Sequence, residues 1–319
     1  MQSFSYPHRS LALPHPHTAN ASRSFGAPLV MLAVLATLAL SCATSSTPLS
    51  SREFKLLLNA ERFAQPDEAL HAYWSLVEAV ALERGLVLKP SYQGWKEKQR
   101  QVTFFDSSDG LLRSHKLVLR QRIKRKGGAL QDKVELTLKY RDEDPSRAAL
   151  AQTRAAHGPD DTLMEEDVLP IAESLPCPAN ADAPLRSLYS KRSKTELLTV
   201  PAPELGAFAT LFPLLGELGA SPPLESVVYE ESTYSPADLV LSPTLRVEPT
   251  LTLWRAPDGA ISVAEFSFSY LAKDATPGAF EPEVLAFFGA LRCASADWLG
   301  EARSKSSISQ DVIQEHTSE

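Results

Sequence analysis

The most restrictive feature of this chain is a pair of long alternating segments. Residues 116–125 read KLVLRQRIKR and residues 132–141 read DKVELTLKYR. Because the side chains of a strand alternate between two faces, each segment would carry one charged face and one largely apolar face. A Gly-Gly turn lies between them, which is typical of an antiparallel hairpin. The chain must therefore build a sheet that keeps a row of charges on one side.

The charged face of each strand must either contact water or be neutralised by groups of opposite charge. Residues 113–147 contain eleven Lys or Arg and five Asp or Glu, although the whole chain has a net charge of −7. The charged face can be the water-exposed side of a half-buried sheet. Alternatively, a bound anion or carboxylates from other strands neutralise it, because like charges along one face repel. Acids that could supply such carboxylates are Glu53, Glu165, Asp167, Glu248 and Glu265.

The rest of the chain predicts an α+β protein with an antiparallel sheet. No internal repeat or βαβ alternation occurs, which disfavours a parallel nucleotide-binding sheet. One domain is expected from about 53 to 300, with an irregular excursion over 142–186 and a frayed polar tail over 301–319. Strands are predicted at 53–58, 101–106, 116–125, 132–141, 187–198, 226–234, 245–255 and 260–270, and helices at 67–85, 203–217 and 281–299.

The N-terminus has the pattern of an export signal over residues 1–41. These residues contain no Asp or Glu, and an apolar run of fourteen residues extends from Ala27 to Leu40. As a helix this run would be about 21 Å long, short of the ~30 Å hydrocarbon core of a bilayer. A run of this length is typical of the central region of a signal peptide. A cleaved signal peptide is therefore expected rather than a transmembrane anchor.

The residues after this run are similar to a bacterial lipoprotein processing site. Leu38-Ala39-Leu40-Ser41-Cys42 is followed by a Ser/Thr-rich stretch, so Cys42 would be the lipidated first residue and 42–52 a lipidated linker. Residue 43 is Ala rather than Asp, which by the same resemblance implies transport to the outer membrane. The alternative is an ordinary cleaved signal and a soluble periplasmic protein. In both cases the protein is expected in the cell envelope, and in the first case a lipid anchor attaches it to the membrane.

Composition argues against several classes of protein. The net charge of −7 argues against a nucleic-acid binder with a basic surface. Three cysteines are too few for a four-cysteine zinc site or a disulfide-dense scaffold. In an oxidising compartment Cys177 and Cys293 could pair, but two buried thiols fit the sequence equally well.

Five short motifs follow one another along the chain. They are Glu53-Phe54-Lys55, Phe105-Asp106-Ser107-Ser108-Asp109-Gly110-Leu111-Leu112, Leu119-Arg120-Gln121-Arg122, Leu136-Thr137-Leu138-Lys139 and Ala264-Glu265-Phe266. Together they resemble the CYTH superfamily, the triphosphate tunnel metalloenzymes, over roughly 53–270. The resemblance implies an eight-stranded antiparallel β-barrel with flanking helices. The barrel would enclose a tunnel, with polar faces turned inward and apolar faces outward.

The resemblance also implies site residues. In that family basic side chains bind a triphosphate, and carboxylates hold Mg2+ or Mn2+. Ser51 and Ser267 stand where the family has glutamates, which should weaken metal binding. Phosphate binding would fall to Lys55, Arg120, Arg122, Lys139 and Arg192, and metal binding to Glu53, Glu165, Asp167 and Glu265.

The expected function is binding of a polyanion, a triphosphate or polyphosphate-type molecule, inside the barrel. The basic residues follow the family pattern better than the acidic ones, so binding is expected to be better preserved than metal-dependent catalysis. Weak metal-dependent hydrolysis of a triphosphate is a further possible activity. The alternative is a non-catalytic envelope lipoprotein that uses the barrel as a scaffold for partner binding. Asp106 is expected to shape its turn with Asp109 and Gly110 rather than to contact a ligand.

Overall fold

The fold is described from a computed structural model over residues 48–90, 94–171, 184–219, 221–272, 275–300 and 305–316. The predicted signal peptide, Cys42 and Cys177 lie outside the described residues. Within them the strands are β1 Leu49–Leu58, β2 Val87–Pro90, β3 Lys96–Asp106, β4 Leu117–Lys126, β5 Ala129–Asp142, β6 Leu163–Pro170, β7 Leu185–Leu197, β8 Glu225–Ser235, β9 Ala237–Ser242, β10 Leu245–Val247, β11 Thr250–Arg255 and β12 Ile261–Leu271.

Nine of the described strands close into a barrel in the order β1-β12-β11-β8-β3-β4-β5-β7-β6. Strands β10, β9 and β2 form a separate three-stranded sheet. Neighbouring barrel strands are antiparallel, except that β1 and β6 run parallel. The predicted barrel is therefore confirmed, whereas the predicted eight strands and wholly antiparallel sheet are wrong.

The additional strand is β6, which lies inside the excursion expected over 142–186. Its three successive acids, Glu165 to Asp167, conceal the alternation that marks the other strands. In the sheet Glu166 is fully buried on the opposite side from Glu165 and Asp167, where it forms an ion pair with Arg52. Antiparallel pairing with β7 fixes the direction of β6, and this direction makes it parallel to β1.

Helices cover the outside of the barrel. On the outer face of β1 and β12, Phe54 packs against Phe288 and Phe268 against Phe287 in one apolar cluster. Leu119, Leu136 and Phe208 belong to another. Burial of these apolar faces is the main force that stabilises the fold. The helices are α1 Pro66–Glu83, α2 Leu111–Ser114, α3 Pro145–Leu150, α4 Leu205–Ala209, α5 Pro213–Gly216, α6 Pro282–Ala294 and α7 Lys305–His316.

The longest described helix, α1, follows directly from its sequence. Pro66 occupies its first position, and Asp67 and Glu68 lie in its first turn, where they interact favourably with the helix dipole. Its buried residues recur every three or four positions, as in Leu70, Trp74 and Val77. The predicted helix at 67–85 is confirmed with shifted ends.

The C-terminal helix α7 packs against one end of the barrel's inner face. Ile313 is almost fully buried there, in a cluster that includes Phe104, Val118 and Trp254. The structure thus differs from the frayed polar tail expected over 301–319. The polar composition of this segment gives a narrow apolar stripe, which is enough for one short helix because the barrel supplies the rest of the cluster.

Two further features concern the described helices and Cys293. No helix in the part of the chain that the structure describes has the length and apolar character needed to span a bilayer. Cys293, near the end of α6, is disulfide-bonded, and its partner lies outside the described residues. The sequence leaves open whether Cys177 and Cys293 pair or are two buried thiols; a free thiol at Cys293 is wrong, and Cys177 lies outside the described residues.

Candidate functional site

A cavity of about 230 Å³ lies inside the barrel. Eight Lys or Arg side chains line it, against three Glu side chains. All five predicted phosphate-binding residues are among them, so the structure brings the predicted basic set together. The charged lining residues are Glu53, Lys55, Arg120, Arg122, Lys139, Arg141, Glu165, Arg192, Lys194, Glu265 and Lys305.

The middle of the cavity wall is a row of three register partners. Thr137 on β5 lies opposite Arg120 on β4 and opposite Lys194 on β7. The Thr137 hydroxyl, in a side chain that is 2% exposed, has no hydrogen-bond partner among the described residues. Arg120 likewise has no ion pair or hydrogen bond to any described residue, and its Nε is buried. Unsatisfied buried donors are costly, so this row is prepared for a ligand that accepts hydrogen bonds.

Burial and the neighbouring charge of Arg122 lower the pKa of Arg120 well below the usual value for arginine. A lowered pKa of a base means that its charged form is destabilised in the folded protein. An anion in the cavity would reverse this effect by compensating the charge. A bound anion would therefore stabilise the charged form of Arg120.

Arg122, by contrast, is held by an acid at one end of the cavity. Its guanidinium lies 3.2 Å from Glu231, which also lies 2.9 Å from Arg100 and accepts a hydrogen bond from the Trp254 indole at 3.0 Å. Burial alone would raise the pKa of Glu231, but Arg122 and Arg100 outweigh it and lower that pKa to about 2. Glu231 is therefore ionised and orients both arginines.

Glu165 neutralises two further bases. Its carboxylate lies 2.9 Å from Lys139 Nζ and 2.7 Å from Arg192 Nε. Burial would raise the pKa of Glu165, but the charges of Lys139 and Arg192 lower it to about 2. The carboxylate thus remains ionised and forms ion pairs with two of the predicted phosphate-binding residues.

Lys55 lies between two of the predicted metal ligands. Its Nζ is 2.9 Å from Glu53 and 2.9 Å from Asp167, and Asp167 also pairs with Arg141 at 3.2 Å. Burial would lower the pKa of Lys55, but Asp167 and Glu53 raise it above its usual value. Lys55 therefore carries its charge at all physiological pH values.

The four predicted metal ligands do not assemble into a metal site. Glu53 and Asp167 are paired with Lys55, Glu165 with Lys139 and Arg192, and Glu265 with Lys305. Among the described residues, no group of three or more His, Cys, Asp or Glu is placed to hold a metal ion. Each of these carboxylates is already compensated by an ammonium or guanidinium group. In this arrangement the residues do not fit Mg2+ or Mn2+, which need several converging oxygen ligands.

Three basic residues of the cavity were missed in the sequence. Arg141 ends the strand predicted at 132–141, where it shares a face with Lys139, and it lines the cavity with a side chain that is 15% exposed. Lys194 shares a face with Arg192, so the same two-residue spacing could have identified it. Strand alternation could not have identified Lys305, because this residue lies on α7 rather than on a strand.

Asp106 shapes its turn, as the sequence predicts. Its fully buried carboxylate accepts hydrogen bonds from the backbone N–H groups of Ser107, Leu112 and Arg113 at 2.8 to 3.0 Å. It does not line the cavity. Gly110 has φ of 71°, a conformation that favours glycine, and a Cβ at this position would collide with Gln314 of α7.

Fold and lining together define a barrel protein with a cationic interior. No protein-family model matches the chain, and no curated protein is significantly similar to it in sequence. Among solved structures it is similar to a protein from Hippeastrum that was assigned as an adenylyl cyclase and has a dominant triphosphatase activity. The identity is 14%, the match covers 83% of this chain and 96% of that one, and the TM-score is 0.42.

A second similar structure is a protein from Bacillus halodurans that was assigned as an adenylate cyclase. It is 13% identical, with 82% of this chain and 96% of that chain covered, at a TM-score of 0.35. A third, from Vibrio parahaemolyticus and assigned in the same way, is 13% identical over 82% of this chain and 98% of that one, at a TM-score of 0.34. Similarities of this size are too low to transfer a function.

Proposed function

We propose that this protein binds a polyanion of the triphosphate or polyphosphate type in the cavity of its barrel. The observation that carries the proposal is the row of Arg120, Thr137 and Lys194, in which a guanidinium and a buried hydroxyl lack partners among the described residues. Arginine binds phosphate oxygens through charge-assisted, often bidentate hydrogen bonds. A chain of phosphates would satisfy this row and extend toward the other bases.

The charge balance of the cavity supports the same proposal. Eight bases and three acids leave a net positive lining inside a protein whose net charge is −7. Three acids close to the wall, Glu135, Asp167 and Glu231, reduce this excess, and Arg100 adds to it, but bases remain in the majority. A ligand with several negative charges would compensate the remainder, whereas a neutral ligand would leave it in place.

The proposal is for binding and does not extend to metal-dependent hydrolysis. Hydrolysis of that kind needs carboxylates that converge on a cation, and the candidates here are each committed to a lysine or arginine. The rival function, a scaffold for protein partners in the envelope, would leave Arg120 and Thr137 without a ligand.

We extend the proposal to the cell envelope, with Cys42 as a lipid anchor. The acid-free apolar N-terminus and the residues around Cys42 support it. The disulfide at Cys293 supports it independently, because disulfides persist mainly in oxidising compartments such as the periplasm.

The test is binding of tripolyphosphate to the purified full-length protein, measured by calorimetry and thermal unfolding. A ligand present at about one hundred times its dissociation constant should add ~2.7 kcal/mol to the stability of the folded state. Arg120→Met should remove most of the binding. The matched control is Arg84→Met, since Arg84 is exposed at the end of α1, far from the cavity lining. An unchanged unfolding temperature across a series of polyphosphates would favour the scaffold function.

A further inference from the structure

The C-terminal helix α7 brings a lysine into the barrel. Lys305 Nζ lies 2.7 Å from Glu265 Oε1 and 5.5 Å from the centre of the Trp254 ring. The Lys305 side chain is 18% exposed and that of Glu265 is 2% exposed. Both line the same cavity as Arg120. Lys305 is thus a functional group of the cavity wall that the strands do not provide.

Glu265 depends on this lysine for its compensation. Among the described residues, Lys305 is the one base within ion-pair distance of Glu265. A buried carboxylate is costly unless a cation neutralises it, and in proteins that cation is a basic side chain or a metal ion. In this chain the cation is an ammonium group supplied by a helix.

The position of Lys305 is held by contacts along α7. Gln310 donates a hydrogen bond from its side chain to the carbonyl oxygen of Leu117 at 3.0 Å, and Arg113 forms an ion pair with Asp311. Ile313 packs in the apolar cluster at the end of the barrel. These three contacts lie within one turn of α7 and hold the helix against the barrel, so the ammonium group is placed at Glu265 before any ligand binds.

We propose that Lys305 is the built-in cation of the cavity, so that anion binding needs no divalent metal. This inference rests on the proposed function and specifies how its charge is supplied. An ammonium group has three N–H donors, and the pair with Glu265 uses one side of it, so the others remain available to phosphate oxygens. Ser267 agrees with the inference, because it is hydrogen-bonded to Thr250 at 3.0 Å and adds no negative charge beside Glu265.

The experiment compares four forms of the full-length protein: wild type, Lys305→Met, Lys305→Met with Glu265→Gln, and the control Lys89→Met. Lys89 is exposed on β2, in the separate three-stranded sheet. Calorimetry measures tripolyphosphate binding in the presence of EDTA. Thermal unfolding with Mn2+ alone measures metal binding without phosphate. The double variant removes both charges, so it stays informative where Lys305→Met is too unstable to purify.

The wild type and Lys89→Met should bind tripolyphosphate in EDTA with equal affinity. Lys305→Met and the double variant should bind about tenfold more weakly or worse, since a charge-assisted contact is lost. Mn2+ alone should leave the wild type and the double variant unchanged, because neither offers the several converging oxygen ligands that Mn2+ needs.

Three results would overturn the inference. They are wild-type binding that disappears in EDTA, stabilisation of the wild type by Mn2+ that is absent in the double variant, and undiminished binding by Lys305→Met. Absence of tripolyphosphate binding in every condition would instead refute the proposed function and with it the anion role of Lys305. The Mn2+ measurements would still report whether Lys305 replaces a metal at Glu265.

Discussion

Lys139 on β5 and Arg192 on β7 are register partners, and both hold the carboxylate of Glu165. One acid thus compensates two bases of the cavity wall, at 2.9 Å and 2.7 Å. The same acid competes with any anion for these two bases. Glu165 therefore stabilises the empty barrel and weakens the binding of the ligand that we propose.

The first prediction concerns this competition. Glu165→Gln should lower the stability of the ligand-free protein by about 1–3 kcal/mol, because two partly buried bases lose their partner. It should also strengthen tripolyphosphate binding by about three- to tenfold, because a negative charge leaves the wall. Urea unfolding with and without tripolyphosphate measures both effects. In the control Glu196→Gln, which removes an exposed partner of Lys133, both quantities should be close to wild type. Weaker binding by Glu165→Gln would contradict the competition.

The second prediction separates two neighbouring arginines. Arg120 has no ion-pair partner among the described residues and a lowered pKa, so its charge destabilises the ligand-free fold. Arg120→Met should therefore leave stability unchanged or raise it while removing most of the anion binding. Arg122→Met should lower stability, because Arg122 pairs with the buried carboxylate of Glu231.

The measurement is a urea midpoint and a tripolyphosphate affinity for each arginine variant. The two substitutions are chemically identical and lie two residues apart on one strand face, so each serves as the control of the other. A marked loss of stability in Arg120→Met would show that this side chain has a structural partner, and the binding argument from it would then fail.

The third prediction concerns acid. The pKa values of Glu165 and Glu231 fall from 4.5 to about 2 on folding, so the unfolded chain binds more protons than the folded protein between these values. The stability that these two carboxylates contribute is present above pH 4.5 and is lost as pH falls from 4.5 toward 2. The loss should reach about 3 kcal/mol per pH unit for the two groups together.

Urea unfolding at a series of pH values in this window gives the slope. Glu165→Gln and Glu231→Gln should each lower it by about 1.4 kcal/mol per pH unit, since each takes away one proton of difference. Glu196→Gln is again the control, with an unchanged slope. An equal slope in all four proteins would mean that other carboxylates govern acid unfolding.

Much of the barrel was predictable because alternation assigns faces. Lys139 and Thr137 were placed on one face from their spacing alone, and the structure puts both in the cavity wall. The same alternation also places Arg141, two residues after Lys139, and Lys194, two residues after Arg192, in the cavity wall. Strand β6 was not predicted because acids occupy both of its faces, so its sequence shows no alternation. Glu165 and Asp167 point inward, and Glu166 pairs with Arg52 on the outer face.

The pairing of charges could not be predicted, because it depends on distances across the barrel. Glu165 and Lys139 are far apart in the sequence, and their contact requires the order of β5, β7 and β6 in the closed sheet. The contribution of Lys305 was also hidden, since a polar C-terminal segment gives no sign of where it docks. The same carboxylates thus suggested a metal site in the sequence and form ion pairs in the fold.

The last prediction connects Cys293 with the N-terminus. The chain has three cysteines, and Cys293 is disulfide-bonded to one of the two that lie outside the described residues. Lipidation of Cys42 would block its thiol, so a lipidated protein must use Cys177 as the partner. Mass spectrometry of the mature protein should therefore find a diacylated or triacylated Cys42 peptide and a Cys177–Cys293 linked peptide in the same sample.

Removal of this disulfide should also affect stability. Cys293→Ser, or a strong reductant, should lower the stability by about 2–5 kcal/mol, because the unfolded chain regains the freedom that the cross-link removes. Cys42→Ser should leave the disulfide and the unfolding midpoint unchanged and release the protein from the membrane fraction. A Cys42–Cys293 linked peptide would exclude lipidation in those molecules and contradict the proposed lipid anchor.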